Sequence, residues 1–547
     1  MSQQQSTLYA LTLATSLFIS VSTFASAKPN IIVVFADDIS AREFPAYNST
    51  EWSAPRNQFK NEKNAPNYRA QTPMLDRLAV EGAVIQTAWA NAVCSPSRAT
   101  LMTGRYAHLH KWWQNTDIGT YINENGKKVP WPLYKSSPNT IGHVAQQGGY
   151  ATFWAGKTQM GDSELSEFGF DAVMTSPGND LGRPDHHPYT DFRLALVPDK
   201  TLPADQRTKG NYTQKVYRNL DTQKEGPAIW AEQSFFWQAS IGTWNWPLGS
   251  NSYDWWPKTE EDKADYGLST YGPDVEMELI LSFMEQAHAS DQPFFIYHTP
   301  HLGHAANNWL GQKPANLWYP GTPIVEWDGE KYIRTEPKIT GDKGNYNTHG
   351  TVTEPGIHHH INYLDYQVWQ YMQKLEAMGV KENTIFIFTA DNGTLGYGKM
   401  RKERQRGPRV PFYIYAPGMT QHGMQDILTD VTDILPTIAE AAGVELPANY
   451  EINGTSLLPY LTGQAPTHRD WIYTYLFEMQ AIRGQKVLMD LNGDWWDVSE
   501  EPPDLDDYPE ITDWNAVSET HRDEREQLLE ILPRFDKHAT EHEAPAM

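Results

Sequence analysis

Three short, unbroken apolar runs punctuate the chain, and each ends in polar groups. Pro29-Asn30-Ile31-Ile32-Val33-Val34-Phe35-Ala36 runs into Asp37-Asp38, and Pro293-Phe294-Phe295-Ile296-Tyr297-His298 ends near His301. Asn383-Thr384-Ile385-Phe386-Ile387-Phe388-Thr389-Ala390 runs into Asp391-Asn392-Gly393. Continuous hydrophobicity over so few residues predicts strands covered on both faces, as in a parallel sheet. Between them the period becomes helical. Pro73-Met74-Leu75-Asp76-Arg77-Leu78-Ala79, with Thr72 as N-cap, and residues 275–284 and 361–378 carry apolar side chains at helical spacing. Strand and helix in alternation predict an α/β fold, a large mainly parallel sheet sandwiched by helices. Ligands of such sheets bind beyond the carboxyl ends of the strands. All three runs place their charged or metal-capable residues there.

After about residue 455 the texture changes to short apolar runs, with Asn492-Gly493 between Lys486-Val487-Leu488-Met489-Asp490 and Trp495-Trp496-Asp497-Val498. That is a hairpin signal, and it predicts a small antiparallel-sheet subdomain. The acidic stretch 500–510 reads as a solvated loop. At the other end, residues 8–21 are apolar but short for a membrane span, and Ala25-Ser26-Ala27 has the small-x-small form of a cleavage site, although residues 1–10 hold no Lys or Arg. The expected organisation is a signal peptide (1–27), a catalytic domain (28–455) and a C-terminal subdomain (456–547). Export to the periplasm or beyond follows, with no membrane association after cleavage; a retained N-terminal anchor is the alternative.

Composition narrows the function. With 547 residues, 39% of them hydrophobic, the chain can bury a large core. Its 44 basic against 68 acidic residues give a net charge of −24, which argues against nucleic acid or an anionic membrane as partner. A small anionic substrate in a locally basic site stays possible. The chain has 1 cysteine, Cys94. In an exported chain it can form no internal disulfide, so it is either an inert buried thiol or a reactive centre.

The surroundings of Cys94 decide between these. Cys94-Ser95-Pro96-Ser97-Arg98 followed by Leu101-Met102-Thr103-Gly104-Arg105 resembles the signature of the formylglycine-dependent sulfatases. The resemblance runs from about residue 29 to 498 and implies an alkaline phosphatase-like fold. It also implies a maturation enzyme that oxidises Cys94 to formylglycine. The hydrated aldehyde offers two hydroxyls on one carbon, one to attack sulfur and one whose collapse expels sulfate. Arg98 would hold that hydrate and balance charge.

Asp37 and Asp38 are adjacent carboxylates at a strand end, and they repel unless something positive lies beside them. Alone, a helix cap with a solvated neighbour explains them as well as a cation does. Together with Asp391 and Asn392 they offer hard oxygen donors, which suit calcium or magnesium better than zinc. The resemblance implies a metal site of Asp37, Asp38, Asp391 and Asn392 that the modified Cys94 also reaches, with calcium preferred over magnesium.

Gly156-Lys157-Thr158-Gln159-Met160-Gly161 resembles the family segment whose lysine holds a sulfate oxygen. Lys157 matches. Gln159 stands where the family places a histidine that contacts the formylglycine hydroxyls. Glutamine hydrogen-bonds but exchanges no proton at neutral pH, which shifts proton transfer to Asp391, water or another histidine. Thr299-Pro300-His301-Leu302-Gly303-His304 resembles the family's histidine element. His301 is the expected proton donor to the leaving alcohol, a task for a side chain whose pKa lies near neutrality, and His304 a substrate contact. Gly396-Tyr397-Gly398-Lys399 resembles the segment with the second sulfate-binding lysine. Lys399 is the match and Lys402 the alternative, in a basic run with Arg401, Arg404, Arg406 and Arg409 of which one lysine is expected to reach the site.

His358-His359-His360 invites a transition-metal reading, but consecutive helical residues point in different directions. One of the three lining the substrate pocket is the better expectation. Trp230, Trp237, Trp244, Trp246, Trp255 and Trp256 read equally as a sugar-stacking platform or as core. The expected function is an exported sulfatase acting on a sulfated oligosaccharide or polysaccharide. A phosphate or phosphonate monoester hydrolase of the same superfamily and an inactive carbohydrate-binding relative are the alternatives.

Overall fold

A computed structural model describes residues 28–53, 61–63, 66–160, 162–176, 192–197, 214–219, 225–229, 236, 237, 239, 241–267, 269–304, 321–339, 348–354 and 356–537. The three apolar runs are strands, β1 (Asn30–Ala36), β7 (Phe294–Thr299) and β8 (Thr384–Ala390), and every residue in them is buried. Their main-chain groups pair with one another because nothing else in the apolar interior can satisfy them. β1 lies between β7 and β8, parallel to both. β3 (Ala151–Gly156) adds to β7 and β4 (Ala172–Thr175) to β3, again in parallel.

This parallel core belongs to an 11-stranded sheet. One flank is antiparallel, β5 (Ile241–Trp244) on β4 and β6 (Tyr253–Trp256) on β5. On the other flank lie β2 (Ala83–Trp89), β9 (Arg409–Val410), β10 (Phe412–Tyr415) and β11 (Gly423–Asp430). There β10 runs antiparallel to β8 and β2, and β11 runs parallel to β2.

Two helix groups enclose the sheet. α1 (Pro73–Glu81), α4 (Gly272–Ala289) and α5 (Ile357–Met378) pack together, as do α2 (Cys94–Thr103), α3 (Ile141–Gln147) and α6 (Ile434–Ala442). Thr72 occupies the predicted N-cap of α1 but does not cap it: its hydroxyl donates to Asp76 (3.1 Å). The free amides of Met74 and Leu75 donate instead to Asp365 on α5, at 3.0 and 2.8 Å. A carboxylate supplied by tertiary packing does the local cap's work.

The C-terminal 4-stranded sheet is antiparallel: β12 (Ile472–Leu476), β13 (Met479–Arg483), β14 (Val487–Met489) and β15 (Trp495–Asp497). Asn492-Gly493 makes the β14–β15 turn, with Gly493 at φ 88°. The stretch 500–510 is not simply solvated. Leu505, Asp506 and Tyr508 are buried, and the Arg409 guanidinium donates to the Leu505 carbonyl and the Tyr508 hydroxyl at 2.7 and 3.1 Å. Among the tryptophans, Trp237 and Trp255 are buried and Trp244, Trp246 and Trp256 pack against the core, so the core reading holds for these five. Trp230 and the signal-like segment lie outside the described residues. No described helix is long and apolar enough to cross a membrane.

Register brings the chemistry together. Ala36 pairs with Ala390, Val34 with His298, and Thr299 with Gly156, so four parallel strands end side by side. The residues just beyond those ends are Asp37, Asp391, His301 and Lys157.

Candidate active site

Cys94 opens α2, in a loop-to-helix turn whose N-cap, Val93, has no side chain able to cap. The cap comes from elsewhere: the Ser95 amide donates to Asn115 Oδ1 at 3.0 Å. Below it, the Ser97 hydroxyl accepts from the Asn91 amide and donates to the Val93 carbonyl, both at 2.9 Å. Cys94 is thereby held with its Sγ 3.7 Å from Asp37 Oδ1, 3.7 Å from Asp38 Oδ1 and 3.3 Å from Lys399 Nζ. Donor atoms of Asp37, Asp38, Cys94 and Asp391 all lie within 4.8 Å of one another, and all four residues are buried.

Cations ring this cluster. Lys157 Nζ donates to Asp37 Oδ2 at 2.7 Å, and Lys399 Nζ to Asp38 Oδ2 at 2.9 Å. Arg98 Nη2 donates to Asp391 Oδ2 at 2.7 Å and lies 3.7 Å from Asp37 Oδ1. His301 Nδ1 is 3.1 Å from Asp37 Oδ2, and His304 Nε2 is 3.8 Å from Asp38 Oδ2. The Asp38 amide donates to Asp391 Oδ1 at 3.0 Å, and Asn392 Nδ2 to Asp38 Oδ1 at 2.8 Å.

Burial sets the protonation states, modulated by neighbours. Burial by itself would raise the Asp37 carboxyl, but Lys157, His304, the His301 hydrogen bond and Arg98 outweigh it and hold it well below the ordinary range. Asp391 is pushed up to about 6 by burial and by the charge of Asp37, despite Arg98 and Lys157. Lys157 and Lys399 are raised because Asp37 and Asp38 outweigh the cost of burying them. Burial and Asp391 push the Cys94 thiol up, so it stays protonated and is a poor nucleophile as it stands. His301 departs from the near-neutral expectation: burial, with Lys157 adding, lowers it to about 3, so it carries no charge here.

Three polar atoms of the cluster have no hydrogen-bond partner among the described residues: Asn392 Oδ1, Arg98 Nε and Arg98 Nη1. Gln159 follows Lys157 with left-handed backbone (φ 53°), and its Oε1 is likewise buried without a partner. Of the basic run, Lys399 enters the cluster. Arg404 lies over Trp496, Arg406 over Tyr397, Arg409 is bound to Glu501, and the Lys402 carbonyl accepts from Leu491.

His360 parts company with the other two histidines, whose rings lie 3.9 Å apart. His358 meets the Tyr68 ring edge-on, while His360 Nδ1 accepts from the Gly303 amide at 3.0 Å. The described residues hold no second cluster with metal-ligand geometry. Sequence reasoning missed Asn115 and the clamp in which Ser40 and Thr394 exchange amide-to-hydroxyl bonds of 3.0 and 2.8 Å, joining the loops after β1 and β8. Neither has a local signal, since each acts on a partner remote in sequence.

A family model described as Sulfatase matches residues 29–444, the span that contains every residue of this cluster. The chain belongs to the sulfatase family. It is a sulfuric ester hydrolase. It is 24% identical over 542 residues to an N-acetylgalactosamine-6-O-sulfatase of Bacteroides thetaiotaomicron, covering 92% of this chain and 88% of that one. Human arylsulfatase A is 24% identical over 483 residues, covering 83% and 72%. The fold matches a solved chain from work on glycosaminoglycan metabolism by Bacteroides thetaiotaomicron with a TM-score of 0.54, 19% identity, and 93% and 99% coverage. Within this sulfatase the buried cluster of carboxylates and cations lies at the carboxyl end of the parallel core.

Proposed function

We propose that this sulfatase is exported and removes sulfate from a sulfated carbohydrate, using a formylglycine made from Cys94 and one calcium ion held by Asp37, Asp38, Asp391 and Asn392. The observation that carries it is the place of Cys94. A side chain with a depressed nucleophilicity sits at the first turn of a helix, in contact with two carboxylates and a lysine. A thiol gains nothing there, whereas an oxygen at that position would join a set of hard ligands.

The residues fit the cation. Asp37 and Asp391 crowd each other enough to raise Asp391, and Asn392 Oδ1 is buried and unpartnered beside them. Hard oxygens of this kind suit calcium. When bound, the cation supplies positive charge to the sulfate oxygens, and the aldehyde hydrate supplies paired hydroxyls for attack and for release.

The chain's own side chains do the rest. Lys157 and Lys399 turn from the carboxylates to the ester's anionic oxygens, where charge concentrates as the S–O bond breaks. Arg98 is oriented by Asp391 and keeps Nε and Nη1 for the hydrate. His301, anchored by donating Nδ1–H to the Asp37 carboxylate, presents a bare Nε2; it takes up a proton as the anionic ester enters and passes that proton from Nε2 to the departing sugar oxygen. The carbohydrate reading draws on relatives: besides the enzyme above, an N-acetylglucosamine-6-O-sulfatase is 22% identical. A structural neighbour with a TM-score of 0.52 was solved with its substrate D-glucosamine-2-N,6-O-disulfate.

Mass spectrometry of the peptide spanning Cys94, from active enzyme made alongside a formylglycine-generating enzyme, is expected to show the aldehyde. Full activity with an unmodified thiol would overturn the mechanism. Release of sulfate from sulfated hexosamines, with no turnover by C94A, tests the substrate class.

A further inference from the structure

The turn that carries His301 has an unusual support. In His301-Leu302-Gly303-His304 the Asp37 amide donates to the Leu302 carbonyl at 3.3 Å, and the His304 amide closes the turn on the His301 carbonyl at 3.1 Å. Gly303 sits at φ 107°, and a Cβ there would lie 1.9 Å from the Asp37 carbonyl oxygen. The turn is therefore pressed against the end of β1, and its depth is set on that side by backbone contact. On the other side the Gly303 amide donates to His360 Nδ1 at 3.0 Å, a side chain from α5, 57 residues away in sequence.

His360 is well placed to act as a fixed acceptor. It is 2% exposed, and the Phe236 ring packs edge-on against it with centroids 5.2 Å apart. Phe236 in turn stacks on Tyr271 at 6.4 Å. Burial lowers the His360 imidazole to about 3, so it is neutral and one nitrogen keeps its lone pair. With Nδ1 accepting from Gly303, the proton must reside on Nε2. An imidazole locked in one tautomer and one rotamer by aromatic packing supplies a rigid acceptor for a single backbone amide.

We propose that His360 is a positioning residue that holds the His301–His304 turn in register against Asp37 and so aligns His301 with the leaving oxygen of the sulfate ester. This rests on the reading of His301 as the proton donor. His360 touches neither substrate nor the reacting atoms; its effect passes through the Gly303 amide to the backbone of His301. A shift of the turn of even a fraction of an ångström lengthens the proton transfer without altering the charges that bind sulfate.

The consequence is selective. Proton donation matters greatly for a sugar alkoxide and little for a nitrophenolate, which departs without help. In H360L, which keeps bulk but loses the acceptor, kcat for a hexosamine 6-sulfate is expected to fall about 10–100-fold, and kcat for 4-nitrophenyl sulfate about threefold or less. H360N offers an oxygen near the Nδ1 position and is expected to restore the sugar rate to within about threefold of wild type.

Comparing both esters on one preparation removes any dependence on the fraction of folded enzyme. H301A is measured alongside. Selective loss on the sugar ester in H301A and H360L, with recovery in H360N, supports the proposal. Selective loss in H301A with equal loss on both esters, or none, in H360L overturns the positioning role alone. Equal loss on both esters in H301A removes the acid role of His301, and the proposal falls with it. If H360L is insoluble, a soluble H360N with wild-type discrimination supports the acceptor role, and one that loses both esters equally overturns it.

Discussion

At Lys399 a single side chain spans a carboxylate and the Cys94 thiol. Its ammonium lies 2.9 Å from Asp38 Oδ2 and 3.3 Å from Cys94 Sγ. Arg404, Arg406 and Arg409 of the same basic run cannot replace it, being committed to Trp496, Tyr397 and Glu501. K399M should therefore lower kcat/KM for a sulfate ester by about 100–1,000-fold, as expected when one preorganised charge is removed from a developing anion. Steady-state kinetics check this, with near-wild-type circular dichroism showing that the fold survives. Lys399 was legible in the sequence through its motif. Asn115, which caps the helix of Cys94, was not, because a cap supplied from a later hairpin leaves no trace at the helix it caps.

Among the elements, the junction of β3 and β7 has the least room. Gly156 ends β3 at φ 105°, and a Cβ there would meet the Thr299 carbonyl oxygen at 2.2 Å; the next residue, Lys157, donates its amide to that same oxygen at 2.7 Å. G156A must push the strands apart or rotate the peptide, and either displaces Lys157. A loss of stability of about 1–3 kcal/mol and a fall in kcat/KM of at least about tenfold are expected. Chemical denaturation and sulfate-release assays measure the two. Activity at wild-type level would show that Lys157 tolerates the shift. The strands themselves were readable from their apolar runs, with ends displaced by a residue at most. The capping of α1 by Asp365 instead of Thr72 was not, since the two helices meet only after the chain has folded.

For the whole molecule, pH acts on a buried polar link between α4, β7 and α5. Glu276 on α4 lies 3.4 Å from His298 on β7, whose other ring nitrogen meets the Tyr371 hydroxyl at 3.0 Å. Burial, with Asp274 adding, pushes the Glu276 carboxyl well above the carboxylate range. An acid whose pKa is raised by folding favours the fold below its unfolded pKa and loses that contribution as pH rises above it. Wild type should thus lose stability relative to E276Q between pH 5 and pH 8. Tm measured on both at each pH would refute this if the difference stayed constant. Calcium added to chelator-treated enzyme should raise Tm by mass action, and N392A should weaken that response. An unchanged Tm in wild type would count against a resident cation.

By itself the sequence determined the strand runs, the α/β class, the cysteine signature and the identity of the charged residues at the strand ends. These are local: an apolar run, a strand-end carboxylate pair and a helix-opening cysteine are each written within a few consecutive positions. Tertiary structure alone decided which of those charges meet and which proton each one keeps. Asp37 and Asp391 lie far apart in the chain yet share Arg98, because the register of β1 and β8 ends both strands at one level. His301 shows the limit most plainly. Its residue type promised a pKa near neutrality, and burial, with Lys157 adding and Asp37 opposing, lowered it to about 3. Desolvation is a property of the surrounding packing, and no run of neighbouring letters encodes it.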